Sequence, residues 1–95
     1  MRIKTHPGEI LREEFLVPFG LSANALATAL RVPATRIGDI IKERRGVTAD
    51  TALRLSRYFS TTAQFWLNLQ SAYDLSKVEA EEGAQIERDV TPRAA

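Results

Sequence analysis

The chain contains 95 residues, with 13 Lys and Arg against 12 Asp and Glu for a net charge of +1. This length suits one domain with a single packed core. The chain contains no cysteine, which excludes disulfides, thiolate metal sites and thiol redox catalysis and fits a reducing cytosol. One of the two longest uncharged stretches, Phe15–Leu30, includes Pro18 and Gly20, and no basic-then-apolar leader opens the sequence. We therefore expect a cytoplasmic protein with no membrane partner.

The charge is unevenly distributed along the sequence. Residues 1–57 have a balance of +4, whereas residues 58–95 have a balance of −3. A basic half of this kind favours contact with a polyanion such as nucleic acid. We therefore expect any nucleic-acid interface in residues 1–57.

The N-terminal segment is predicted to be a short arm followed by one helix. Residues 1–5 form the arm, and the helix is predicted from about Glu9 to Val17, because Pro7 and Glu9 both favour a helix start. His6 precedes this helix and, together with Glu9 and Glu13, could be considered as a set of metal ligands. A single histidine beside a proline is more typical of a cap or a packed side chain, so no metal site is predicted.

A helix, a turn and a second helix are predicted between Ser22 and Gly46. Ser22 can cap the first of these helices through its hydroxyl. The chain must turn near Pro33, because proline has no N–H and excludes the preceding Val32 from the helical region. The buried face of the first helix is predicted at Ala23, Leu26, Ala27 and Leu30.

The second helix begins after Pro33 and has an apolar period at Ile37, Ile40 and Ile41. Its remaining positions form a polar and basic outward face, which we interpret as a surface for DNA. This outward face is predicted at Ala34, Thr35, Arg36, Asp39 and Lys42, followed by Arg44 and Arg45.

Two further helices are predicted after this basic loop. Gly46 can adopt the left-handed conformation that ends a helix, and Thr48 can cap a fourth helix from about Ala49 to Phe59. Thr62 can cap a fifth helix, which we expect to stop at Gly83. The predicted fold class is therefore all-α, with five helices.

The fifth helix has a wide apolar stripe, and the sequence beyond it is mostly polar. We divide the chain into a DNA-binding and dimerisation domain at residues 1–83 and a tail at residues 84–95, which we expect to be flexible or ordered only by contact. The aromatic residues of the stripe could stack on single-stranded nucleic acid, but their helical spacing and acidic surroundings favour a core or dimer contact. The candidate dimer interface is Phe65, Trp66, Leu69 and Tyr73.

Four segments together resemble antitoxins of the HigA type, a branch of the lambda-repressor-like (XRE) helix-turn-helix family. They are HPGEIL at His6–Leu11, the helix-turn-helix itself, RRGVTADTALRLSRYF at Arg44–Phe59 and FWLNLQSAYDL at Phe65–Leu75. The resemblance implies a homodimer that binds a palindromic operator in double-stranded DNA and represses its own operon. It also implies direct binding of a HigB-like ribonuclease toxin. We predict neither enzyme activity nor a cofactor, because the sequence has no Ser/His/Asp or Cys/His set for nucleophilic catalysis.

By position in the family motif, the resemblance implies DNA contacts at the start of the first helix and along the second helix. The second helix would face base edges, and the start of the first helix would cross the phosphates. The basic run after the second helix could be only a solvated face, but its place at the end of a DNA-reading helix favours contact with phosphates. Ser22 and Thr48 are caps first, and any phosphate contact would share their backbone amides. The candidate DNA-binding residues are Ser22, Asn24, Ala34, Thr35, Arg36, Asp39, Lys42, Arg44, Arg45 and Thr48. The sequence departs from the family at Arg31, where glycine is usual, and at Lys42-Glu43, where many relatives have Asn-Gly.

Arg36 is the predicted base-reading residue, because a guanidinium can donate two hydrogen bonds to guanine O6 and N7. Arg36 could instead be solvated or form an ion pair with Asp39, which lies one turn further along the same face of the helix. Thr35 could contact a thymine methyl or a phosphate, or only support the first turn. Asp39 could accept from cytosine N4, but orienting Arg36 or facing solvent is the more typical role of a carboxylate here.

The predicted function is a DNA-binding antitoxin and autorepressor. One alternative is a stand-alone transcriptional regulator of the same fold without a toxin partner, which a neighbouring ribonuclease-like reading frame would exclude. A second alternative is a protein-interaction module that has lost DNA binding, which salt-sensitive affinity for DNA would exclude.

Overall fold

A computed structural model describes residues 2–94 of the chain. Met1, the first residue of the predicted arm, and Ala95, the last residue of the predicted tail, lie outside the described residues. The described part is built from five helices and contains no strand, which confirms the predicted all-α fold. None of these helices is both long and apolar enough to cross a bilayer. The helices are α1 at residues 7–19, α2 at Ala23–Leu30, α3 at Ala34–Ile41, α4 at Ala49–Phe59 and α5 at Ala63–Asp89.

Helix α1 is longer than predicted at both ends. Its regular turns at Pro7–Ile10 and Val17–Phe19 flank a wider π-type segment at Leu11–Leu16. The helix begins earlier than Glu9 because His6 is the cap: its side chain accepts a hydrogen bond from the Gly8 amide.

The core lies where all five helices meet. Its buried side chains come from each helix and from the loop after α3, and the faces predicted for α2 and α3 turn inward as expected. Trp66 is enclosed by this core, and its indole N–H donates to the Thr61 hydroxyl at 2.8 Å. The core residues are Leu11, Leu16, Leu26, Ala27, Leu30, Ile37, Ile40, Val47, Ala52, Leu55 and Trp66.

A residue in the left-handed conformation follows the end of each of the first four helices. These residues are Gly20, Arg31, Glu43 and Ser60. At each junction, amides at and after this residue donate back to carbonyls of the last helical turn. Arg31 therefore adopts the conformation expected from its place in the turn. The prediction for Gly46 was wrong, because α3 already ends at Ile41 and Glu43 takes the left-handed position.

Two of the three predicted threonine and serine caps are confirmed. The hydroxyl of Ser22 accepts from the Ala25 amide at 3.0 Å, and that of Thr62 accepts from the Phe65 amide at 3.1 Å. The Thr48 hydroxyl makes no capping bond to α4, because it faces the Thr51 hydroxyl at 3.5 Å.

The prediction that α5 stops at Gly83 was also wrong. The helix continues through Gly83 to Asp89, so the first six residues of the predicted tail are helical. A glycine inside a helix costs only about 1 kcal/mol relative to alanine. Gln85 donates to Asp89 at 2.8 Å and accepts from Arg88 at 2.6 Å, and side-chain pairs of this spacing support the last turns.

Candidate nucleic-acid interface

The outward face of α3 is accessible, as a DNA-reading helix requires. Ile37 and Ile40 are buried against the core, which fixes the rotation of the helix about its axis. This rotation leaves Ala34 and Thr35 exposed at the start of α3. The side chain of Arg36 is partly exposed, with 29% of its surface accessible to solvent. The first turn of α3 therefore projects its side chains away from the body of the protein.

Arg36 is held by a residue of the next helix. Its Nη1 donates to Oδ2 of Asp50 at 2.7 Å, and the same oxygen accepts from Nε of Arg54 at 2.9 Å. These hydrogen bonds, from Arg54 and then Arg36, lower the pKa of the Asp50 carboxyl and keep it ionised. The guanidinium of Arg36 is therefore held in one orientation by Asp50.

Asp39 has a different partner from the one considered in the sequence. Its carboxylate lies 3.7 Å from Nη2 of Arg45, so it pairs with the basic loop and not with Arg36. The Asp39 carbonyl also accepts from the Arg44 amide at 2.8 Å. Asp39 thus fixes the first residues of the loop against the end of α3.

The basic loop extends the outward face of α3. Lys42, Arg44 and Arg45 are all exposed directly after the helix. The loop is anchored from α5, because the Gln70 Oε1 accepts from the Val47 amide at 2.7 Å. This anchor keeps three cationic side chains on the same side of the molecule as the first turn of α3.

The start of α2 and the start of α4 supply the remaining candidate contacts. Ser22, Asn24 and Thr48 are exposed. The Ser22 hydroxyl is already used as a cap, and the Asn24 carbonyl accepts from the Thr28 hydroxyl at 3.0 Å. The first amides of a helix are groups of the kind that can bind phosphate.

The C-terminal end of α3 is positioned by α1. Nη1 of Arg12 donates to the Ile41 carbonyl at 2.9 Å. Gly8 packs so closely against the Ile40 carbonyl that a Cβ at this position would collide with it. The N-terminal segment therefore sets the position of α3 along its axis.

His6 anchors the start of α1 beside this contact. Its Nδ1 accepts from the Gly8 amide at 2.9 Å, and its ring packs edge-on against Tyr73 with centroids 4.7 Å apart. Burial lowers the pKa of His6, although the carboxylates of Glu43 and Asp74 act in the opposite direction. Burial therefore favours the neutral ring, whose Nδ1 accepts from the Gly8 amide.

Several residues that position the helices and the basic loop were not predicted from the sequence. Arg12, Arg54 and Gln70 each bond across more than twenty positions of sequence, Arg54 through Nη1 to the Leu30 carbonyl at 2.8 Å. No local pattern marks such contacts. Asp50, at the start of α4, bonds to Arg36 and Arg54, and its partner on α3 lies fourteen positions away in the sequence.

The predicted dimer residues do not form one exposed surface. Trp66 has no exposed area, so it cannot contact a second copy and its inclusion in the dimer interface is corrected. Tyr73 packs against His6, and Leu69 packs against the core. Phe65 alone of the four is exposed.

Comparison with known proteins places the chain in a family. A family model described as helix-turn-helix matches residues 11–66. The chain belongs to this helix-turn-helix family. It is also similar to Virulence-associated protein I of Dichelobacter nodosus, with 66% identity over 74 residues that cover 78% of this chain and 68% of that protein.

Solved structures of antitoxins have the same fold as this helix-turn-helix protein. One is the Pseudomonas aeruginosa antitoxin HigA with the higBA promoter, at 54% identity and a TM-score of 0.91 over 95% of this chain and 98% of that one. Another is the antitoxin GraA in complex with its operator, at 52% identity and a TM-score of 0.93 over 100% of this chain and 95% of that one. The resemblance to HigA-type antitoxins is therefore confirmed.

Proposed function

We propose that this chain is a sequence-specific DNA-binding antitoxin, which represses its own operon as a dimer and neutralises a HigB-like ribonuclease toxin by direct binding. The observation that carries the DNA-binding part is the exposed first turn of α3, with Arg36 oriented by Asp50 and followed by an exposed basic loop. The two similar antitoxins whose structures contain promoter or operator DNA support the same conclusion.

In this proposal α3 enters the major groove with its first turn facing the bases. Asp50 accepts a hydrogen bond from Nη1 of Arg36. The guanidinium has further N–H groups that can donate to O6 and N7 of a guanine. Ala34 and Thr35 lie beside it and can contact a thymine methyl. Asp39, paired with Arg45, contributes by holding the loop.

Contacts to phosphates supply affinity and register. Lys42, Arg44 and Arg45 are exposed cations at the end of α3, and each phosphate they neutralise releases counterions. Ser22, Asn24 and Thr48 lie at helix starts, where backbone amides can bind a phosphate oxygen. A dimer would place two such surfaces in major grooves about 34–36 Å apart on a palindromic operator.

The DNA-binding part is tested by fluorescence anisotropy with a labelled duplex that carries the sequence upstream of this gene. We expect tighter binding to this duplex than to a shuffled duplex of the same composition, and an affinity that falls steeply as salt is raised. Equal affinity for the two duplexes, or no binding at low salt, would overturn this part of the proposal.

The toxin part is tested separately with the protein encoded by the reading frame beside this gene. That protein should arrest growth when expressed alone, and co-expression of this chain should relieve the arrest and give a stable complex in gel filtration. A neighbouring product without ribonuclease activity, or an arrest that this chain does not relieve, would favour a stand-alone regulator.

A further inference from the structure

The outward face of α4 is apolar at its centre and charged at its ends. Asp50, Leu53 and Arg57 share this face, because positions three, four and seven apart lie on one side of a helix. It lies opposite the side of α4 that carries Ala52 and Leu55 into the core. Leu53 retains 63% of its exposure, which is unusual for a leucine in the middle of a packed helix.

Two clefts lie beside this face. One has a volume of about 530 Å³ and is formed between α2 and α4 by Ala29, Leu30, Leu53, Arg54, Arg57 and Tyr58. The other, of about 390 Å³, is lined by Phe19, Leu21, Tyr58, Phe59 and Ser60. Leu53 and Tyr58 project from the same surface that contains these hollows. A surface with both projections and hollows can pack against a copy of itself.

The charges on this face are also self-complementary. Asp50 and Arg57 lie at equal distances along the helix from its centre at Leu53 and Arg54. If two α4 helices cross antiparallel at this centre, the Asp50 of one chain faces the Arg57 of the other at both ends. Asp50 uses one carboxylate oxygen for Arg36 and Arg54, so its second oxygen can accept from another arginine.

We propose that two copies of this chain associate through the outward face of α4, with each Leu53 packed into the cleft of the partner. This inference rests on the proposed function, because it identifies the surface through which the DNA-binding dimer forms. It replaces the α5 stripe as the dimer interface, since Trp66 is buried and Tyr73 is packed against His6.

The α4 contact also suits the geometry of an operator. Each α3 lies beside the N-terminal end of its own α4, where Arg36 reaches Asp50. Antiparallel α4 helices place these two ends on opposite sides of the contact. The 11 residues of α4 span about 16 Å, and neighbouring helices pack about 8–10 Å apart. The two α3 helices then lie on the order of 30 Å apart, close to the separation of successive major grooves.

The proposal is tested by sedimentation equilibrium of the full chain and of its L53E variant. The wild type should be a dimer at micromolar concentration, and L53E should raise the dimer dissociation constant at least 100-fold while its circular dichroism stays helical. The matched control is L75E, because Leu75 on α5 is also 63% exposed and should tolerate the same change. R57E places a glutamate opposite the partner's Asp50 and should weaken the dimer about tenfold.

A dimer that L53E leaves intact, or that L75E disrupts instead, would overturn the proposal, as would a wild type that stays monomeric at 100 µM. Binding of the wild type to the upstream duplex, measured in parallel, separates this proposal from the proposed function. If the wild type binds the duplex and L53E remains dimeric, only the α4 interface is lost. If the wild type fails to bind the duplex, the DNA-binding function is lost whatever the oligomeric state.

Discussion

Arg36 on α3 and Asp50 on α4 are joined by an ion pair of 2.7 Å between Nη1 and Oδ2. The pair connects α3 to α4 through side chains that are both accessible to solvent. Exposed pairs of this kind contribute little to stability, so its main effect is to restrict the rotamers of Arg36. The orientation of Arg36, the proposed base-reading residue, is therefore restricted in the free protein.

D50N is expected to reduce the discrimination between operator and unrelated DNA by about 2- to 5-fold, because Arg36 loses its charged partner. The loss of a carboxylate beside the DNA surface should raise affinity for unrelated DNA slightly. The measurement is the ratio of the two dissociation constants. D89N removes an exposed aspartate bonded to Gln85, far from α3, and should leave the ratio unchanged. An unchanged ratio in D50N as well would show that Asp50 does not orient Arg36.

G8A should destabilise the fold by about 1–3 kcal/mol, because the new Cβ collides with the Ile40 carbonyl. Its control is G38A on α3, where a Cβ meets nothing within 4 Å. Replacing a glycine inside a helix should stabilise the protein by about 0.5–1 kcal/mol. Urea denaturation measures both changes, and a G8A variant as stable as the wild type would contradict the close packing of α1 on α3.

R31G and E43G should each stabilise the chain by about 0.5–1 kcal/mol. Both residues hold the left-handed conformation, with φ of 61° and 62°, which costs a side chain more than it costs glycine. G20A, at a φ of 59°, tests the reverse change and should destabilise by a similar amount. Thermal unfolding of the three variants checks this, and unchanged melting temperatures throughout would argue against strain at these turns.

The stability of the protein should decrease as pH falls below 6.5. The pKa of His6 is lowered by burial, so the unfolded state takes up a proton first, at the ordinary value of 6.5. The loss continues until the pH reaches the lower pKa of the folded state. H6N can still accept from the Gly8 amide but does not titrate in this range. Urea denaturation at pH 7.5 and 5.5 should show a pH dependence that H6N reduces; an equal dependence in both proteins would assign it to other groups.

R44A and R45A should weaken binding to operator and unrelated DNA alike. Their predicted partners are phosphates, which carry no sequence information, and each variant should reduce the salt dependence of binding by about one counterion. Anisotropy titrations at several salt concentrations measure both effects. A selective loss of operator binding would instead assign a base contact to the loop.

The sequence was sufficient to predict the five helices and the inward faces of α2 and α3. Periodicity and capping are local properties. Ile37 and Ile40 could therefore be assigned to the core from their spacing. Ser22 and Thr62 could be assigned as helix caps because each has a side-chain hydroxyl just before a helix.

The errors lie where a distant contact decides the outcome. Trp66 fits an exposed stripe as well as a buried one, and only the approach of the other helices encloses it. Glycine is a poor guide to helix ends here, because Glu43 takes the left-handed position before Gly46 and α5 continues through Gly83. The Arg36–Asp50 pair spans fourteen positions and two helices, so no local spacing indicated it.

The most direct test of the account is a comparison of R36A with the wild type on a panel of operator duplexes, each with one base pair changed in the half-site. We predict that the wild type discriminates against changes at one G·C pair by about 1–3 kcal/mol and that R36A loses discrimination at that pair alone. If R36A keeps the same preference at every base pair as the wild type, Arg36 does not read the DNA sequence and the proposed role of α3 is contradicted.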